Sequence, residues 1–230
     1  MLGIIGAMDE EVAKLKENME QVEVRTKASM DFYRGVIGGK EVVVVRSGIG
    51  KVNAGICAQI LADDYGVDGI VNTGIAGSLR AEINIGDIVV STDAVQHDMD
   101  AVAFGYPLGQ IPRMDTLAFH ADSQLVELAV QCCKKVIPEI GVFQGRVASG
   151  DEFIAKKERK DAILKEFDAC CCEMEGAAIA QAAYLNQIPF VIIRAISDKA
   201  DDSAGMDYPT FEAMAIKNSV KLIMEMVVNA

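Results

Sequence analysis

The sequence predicts one α/β domain over residues 1–230, built on a mixed, mainly parallel central β-sheet with helices on both sides. Three observations predict it. Short apolar runs, of the kind that form strands buried on both faces, alternate with stretches of helical periodicity. The 230 residues are 51% hydrophobic and 24% charged, enough to bury a sizeable core and too apolar for disorder. No repeat, linker or low-complexity stretch interrupts them, so no domain boundary is expected.

Residues 2–8 open as a buried strand and run into Asp9-Glu10-Glu11, acids that suit the first turn of a helix, where the dipole favours negative charge. Strand-forming segments follow at 22–26, 32–37 and 41–46, the last containing four consecutive valines. Gly38-Gly39 between the second and third is a hairpin turn. Helical spacing covers 51–65, and strands are expected at 69–73 and 87–94. From 95 to 115 the pattern fails at Gly105, Pro107, Gly109 and Pro112, and so long a loop in a compact domain is usually functional. A helix over 122–136, a strand over 141–149, a charged helix over 156–167 and an alanine-rich helix over 173–185 come next. A central strand at 190–196 and a terminal helix at 208–228 complete the order.

Composition excludes several classes of partner. The net charge of −12 repels phosphate backbones and anionic lipid, so neither nucleic acid nor a membrane is expected. No run approaches the ~20 apolar residues of a membrane span. The N-terminus lacks the basic segment of a signal peptide. The six cysteines have no C-x-x-C spacing and read as free thiols packed in a reducing cytoplasm.

Ligands of α/β sheets gather beyond the carboxyl ends of strands, so the strand exits are the candidate positions. Gly48-Ile49-Gly50 resembles half of a dinucleotide fingerprint, but Asn53 holds the third glycine position. A phosphate loop would need glycine where Val45 stands. His97-Asp98-Met99-Asp100 has too few neighbouring ligands for a metal and reads as a solvated or interface loop. Cys170-Cys171-Cys172 reads as a short buried strand, with no histidine beside it to form a thiolate. No metal and no cofactor is expected.

The acids carry the stronger signal. Glu11, Glu175 and Asp198 each fall at a strand exit, with Arg194 close to the last. Each alone fits a helix cap or a surface charge. Together they match cleavage through an oxocarbenium-like state, where one carboxyl group activates water, another protonates the leaving group and a third can hold sugar hydroxyls.

The segments Gly3–Glu11, Ser47–Val52, Asn72–Gly77, Gly86–Ser91, Ala103–Tyr106, Ser149–Asp151, Glu173–Glu175 and Arg194–Asp198 resemble, in order and spacing, those of the methylthioadenosine/S-adenosylhomocysteine nucleosidases. The resemblance spans nearly the whole chain and implies a nucleoside phosphorylase-like fold. It implies hydrolysis of the N-glycosidic bond of methylthioadenosine and S-adenosylhomocysteine, and of 5′-deoxyadenosine, by a cytoplasmic homodimer. By the same resemblance Glu11 is the general base and Asp198 the acid that protonates the purine at N7, steadied by Ser197, while Arg194 helps to hold the water. Glu175 binds the ribose hydroxyls with Met174 beneath the sugar. Phe153 stacks on adenine, the Ile154 backbone reads its edge, and Ala76 and Gly77 line the purine site. Met8, Ile49 and Tyr208 wall the ribose and the 5′-thio group, and a partner subunit adds Ala101, Phe104 and Pro112. Two positions depart from the family pattern. Ile75 stands where a small hydroxyl residue is common, and Ala101 is small for a wall. A phosphate-dependent phosphorylase, a futalosine-type hydrolase and a nucleotide-binding module are the rival readings.

Overall fold

A computed structural model describes residues 1–230. The chain opens with strand β1 (Leu2–Gly6) and helix α1 (Asp9–Glu17), then a meander of β2 (Glu20–Lys27), β3 (Met30–Ile37) and β4 (Lys40–Arg46). Helix α2 (Lys51–Ile60) ends in a π-helical turn, Leu61–Tyr65, and leads to β5 (Gly69–Ser78) and β6 (Ile88–Gln96). After the long loop come β7 (Phe119–His120), α3 (Ser123–Val136), β8 (Val142–Ser149), α4 (Lys157–Phe167), β9 (Cys171–Glu173), α5 (Gly176–Asn186), β10 (Phe190–Asp198) and α6 (Ala204–Asn229).

All ten strands form one sheet, in the order β10-β6-β8-β9-β5-β1-β4-β3-β2, with β7 beside β6. Strands β4, β1, β5 and β10 run parallel, as expected of a sheet fed by helical crossovers. Because β10 also pairs with β5, the strands from β10 to β5 close into a ring rather than ending in an open edge. The antiparallel pairs are the meander, the short β7, and the β10–β6 and β5–β9 joints of that ring.

Continuous apolar runs are required here because both faces are covered. Successive side chains of a strand point to opposite faces. Thus Ile5, Val43 and Val45 enter the core beneath α2 and α5, while Ile4, Val42 and Val44 enter the one beneath α1, α3 and α6. All six cysteines are buried and free, used as small apolar side chains. No helix is long and apolar enough to cross a membrane.

Three differences from the sequence reading matter for function. Strand β5 does not stop at Thr73: Gly74 to Gly77 remain in it, paired with Arg194 to Asp198 of β10. The expected strand ended at 73, but β10 supplies a partner all along the glycine segment. Glu173 belongs to β9 and Glu175 caps α5, which begins at Gly176. Helix α6 starts at Ala204, ahead of Pro209, where the Ser203 hydroxyl lies within hydrogen-bond reach of Asp201 and Asp207 and can donate to either.

Candidate active site

The strand exits on one side of the sheet enclose a cavity of about 420 Å³. Glu11, Glu175 and Asp198, read from separate strand exits, all line it. Glu11 lies in the first turn of α1 and is buried. Its Oε2 accepts from the amides of Ala7 (2.7 Å) and Met8 (3.0 Å), and its Oε1 from the amide of Ile75 (3.2 Å). Burial raises its pKa, and the Arg194 charge and the three amides oppose that without cancelling it.

Asp198 ends β10. Its Oδ2 accepts from Ser197 Oγ and its Oδ1 from the Ala200 amide, each at 2.8 Å, and burial pushes its carboxyl upward despite them. Glu175 accepts from the Gly50 amide at 2.8 Å. Burial, and then the neighbouring Glu173 carboxylate, raise it to about 7.

Gly74 and Gly77 of β5 make room for these carboxyl groups. A methyl on Gly74 would stand 2.6 Å from Glu11 Oε1 and 3.3 Å from Arg194 Nη1. One on Gly77 would stand 2.7 Å from Asp198 Oδ1. Neither approach survives a Cβ.

The apolar part of the cavity is formed by Met8, Ile49, Phe153, Ile154, Met174 and Tyr208, and its floor by Ala76 and Gly77. Phe153 and Tyr208 meet edge to face at 5.8 Å between centroids. Tyr208 also donates to Glu212 at 3.0 Å and reaches Met8 Sδ at 3.4 Å. An apolar wall carrying two aromatic rings beside buried carboxyl groups suits a nucleoside.

Arg194 departs from the expected role. It is 1% exposed and does not line the cavity. Its Nη2 donates to Asn72 Oδ1 (2.5 Å) and to Glu173, and its Nη1 to the Ile193 carbonyl. Lying behind Gly74, it acts on Glu11 as a buried positive charge rather than as a wall of the pocket. Glu173 was missed as a functional residue. It takes Arg194, Ser149 Oγ and the amides of Glu175 and Gly176, so it binds the sheet edge to the start of α5. Two-residue spacing from Glu175, on a strand exit, was the available signal. Glu152 and Cys172, which also line the cavity, carried no signal of their own.

Ala101, Phe104 and Pro112 lie outside the cavity of this chain; Ala101 is buried while Phe104 is 84% exposed. Of the solvated or interface loop expected at 97–100, the solvated reading does not hold for His97. It is buried against Gly150, whose missing side chain leaves the space its ring fills.

Comparison with known proteins accords with this geometry. The sequence pattern of the phosphorylase superfamily matches residues 1–228. A Staphylococcus carnosus protein named 5′-methylthioadenosine/S-adenosylhomocysteine nucleosidase is 45% identical over 227 residues, covering 98% of each chain. The crystal structure of a nucleosidase of that name from Neisseria meningitidis, bound to methylthio-immucillin-A, superposes with a TM-score of 0.96 at 38% identity, covering 100% of this chain and 99% of the other. The futalosine hydrolase of Helicobacter pylori superposes with a TM-score of 0.94 at 34% identity, covering 100% of this chain and 97% of the other. The chain therefore belongs to the phosphorylase superfamily and, within it, to the 5′-methylthioadenosine/S-adenosylhomocysteine nucleosidases.

Proposed function

We propose that residues 1–230 act as one nucleosidase domain that hydrolyses the N-glycosidic bond of 5′-methylthioadenosine and S-adenosylhomocysteine, releasing adenine and the thioribose. Glu11 takes a proton from the attacking water, and its raised pKa makes it a stronger base. Asp198, whose burial favours the protonated form, gives a proton to the purine at N7 as the bond breaks, with Ser197 orienting its carboxyl group. Glu175 accepts from the ribose hydroxyls above Met174. Phe153 stacks on the base, the Ile154 backbone reads its edge, and Met8, Ile49 and Tyr208 enclose the sugar and the 5′ substituent. The Arg194 charge, held by Glu173 and Asn72, keeps Glu11 from being protonated too readily.

The observation that carries the reading is the charge of the cavity wall. Five carboxylic side chains line it, Glu11, Glu152, Glu173, Glu175 and Asp198, and no lysine or arginine does. A phosphate nucleophile wants cationic donors around it, and this wall repels it. Water does not suffer that repulsion, and the cationic sugar of the transition state gains from it. The test is product analysis with methylthioadenosine, with and without phosphate. Free methylthioribose and adenine support the reading; a sugar 1-phosphate sinks it. Futalosine belongs in the same assay as a competing substrate, because the likeness to the Helicobacter pylori hydrolase supports it as a second reading.

The acid side of the pH dependence follows from two of the raised carboxyl groups. Glu175 must be ionised to accept from ribose hydroxyls, and its pKa stands at about 7. Glu11 must be ionised to act as a base. As the pH falls through about 7, kcat/KM therefore declines, and it steepens toward a two-proton slope once Glu11 also protonates. Glu175→Gln leaves only the Glu11 limb, with a one-proton slope. A profile for the wild type that shows no decline as the pH falls through about 7 contradicts the Glu175 role.

The active form is a cytoplasmic homodimer in this reading. Val52, Ile56, Val102, Phe104, Tyr184 and Leu185 are exposed apolar side chains on α2, α5 and the long loop. A two-fold interface would cover one such patch on each subunit. Light scattering at micromolar concentration should give twice the chain mass. Phe104→Ala should raise KM for methylthioadenosine several-fold more than for adenosine, which has little at its 5′ position to bury. A fully active monomer refutes the pairing.

A further inference from the structure

Beside the cavity, but not lining it, three polar residues close a ring of hydrogen bonds. Asp98 follows β6 by two residues and stands at the root of the 99–115 segment. Its Oδ1 accepts from Lys51 Nζ at 2.5 Å and its Oδ2 from the Asp151 amide at 3.0 Å. Lys51 opens α2, and its amide donates to Asp151 Oδ1 at 2.8 Å. The Lys51 ammonium also reaches Gln96 Oε1 at 3.1 Å, and Gln96 donates to Gln181 of α5 at 2.6 Å. The side chains of Lys51 and Asp98 are 17% and 26% exposed. A freely solvated pair adds little, but this one is partly sheltered and each side chain has a second hydrogen-bond partner.

Two members of the ring, Lys51 and Asp151, are next in the chain to cavity-lining loops. Lys51 follows Ile49, which lines the cavity, and Gly50, whose amide holds Glu175. Asp151 precedes Glu152, Phe153 and Ile154, all of which line it. Gly50 has φ +97°, and a Cβ there would stand 3.1 Å from Asp151 Oδ1, so the backbone of one loop packs directly against the Asp151 carboxylate of the other. In contrast, Glu11 and Asp198 are carried by α1 and β10 and make no hydrogen bond to the ring.

We propose that Asp98 and Lys51 are positioning residues that hold the Phe153 loop and the Ile49–Gly50 loop in register with each other and with the root of the 99–115 segment. The proposal rests on the nucleosidase reading. Losing the pair loosens the contacts to base and ribose and leaves the proton-transferring groups where they are. The loss should therefore fall on KM and hardly on kcat.

The test is steady-state hydrolysis of methylthioadenosine by the wild type, Asp98→Asn, Lys51→Met and the double variant. Asp98→Asn keeps an acceptor for the Asp151 amide, and Lys51→Met keeps the aliphatic stem. Each single variant is expected to raise KM about tenfold and to hold kcat within about threefold, and the double variant to be little worse than either single one. A variant that fails to melt cooperatively is set aside for the other, since either removes the pair. Unchanged KM in the folded variants, additive effects, or a loss confined to kcat would overturn the proposal. Calorimetric binding of adenine reads the same contrast without turnover, weakened in the variants if they position the loops and unchanged if they do not. Failure of the wild type to hydrolyse methylthioadenosine would count against the nucleosidase reading alone.

Discussion

Glu11→Gln should lower kcat for methylthioadenosine by ~10²–10⁴-fold, the span that loss of a general base produces. The amide cannot take a proton from water, yet it fills the same volume. One oxygen still accepts from the Ala7 and Met8 amides, but the new NH₂ group then faces the Ile75 amide, donor against donor. That mismatch costs about 1–3 kcal/mol of stability, which a folded domain of this size tolerates. Binding of adenine, measured calorimetrically, should stay near the wild-type value because the base site is formed by other residues. A folded variant that keeps more than about a tenth of wild-type kcat removes Glu11 from the role.

Asp198→Asn should have an effect of the same order, through the other end of the bond. Its amide can donate a hydrogen bond to a ring nitrogen but cannot transfer the proton, so adenine leaves as a poor anionic group. A control separates this from simple damage. A riboside whose leaving group departs readily as an anion needs no proton, so it should be cleaved by the variant at a rate close to that of the wild type. Equal loss on both substrates would make Asp198 a structural residue, one whose bonds to Ser197 and Ala200 merely close the end of β10.

How far the sequence could be read depended on what each residue signals by itself. Strands β1, β4 and β10 were legible because burial on both faces demands unbroken apolar runs. Glu11, Glu175 and Asp198 were legible because each is an acid at the exit of such a run. The last four residues of β5 before Ser78 were not, since Gly74-Ile75-Ala76-Gly77 carries the composition of a turn and only the neighbouring strand makes it extended. The two-residue β7 is defined by its pairing with β6, a long-range contact that no local pattern announces. Arg194 was correctly placed at the sheet edge, but the direction of its side chain depends on Glu173 and Asn72, which lie 21 and 122 residues away in sequence.

The bare stretch of β5 bears on any attempt to make the protein more heat-resistant. Glycine inside a strand is normally an easy target, since exchanging it for alanine recovers about 0.5–1 kcal/mol of backbone entropy. At positions 74 and 77 that exchange would displace a carboxyl group from its place, and the molecule would gain rigidity by losing its chemistry. Such a campaign must look to glycines that guard nothing. Gly55, inside α2 with nothing within 4 Å of where its Cβ would be, is one. The strand's weakness is thus a fixed condition of its use, and thermal robustness has to be sought in the helices around it.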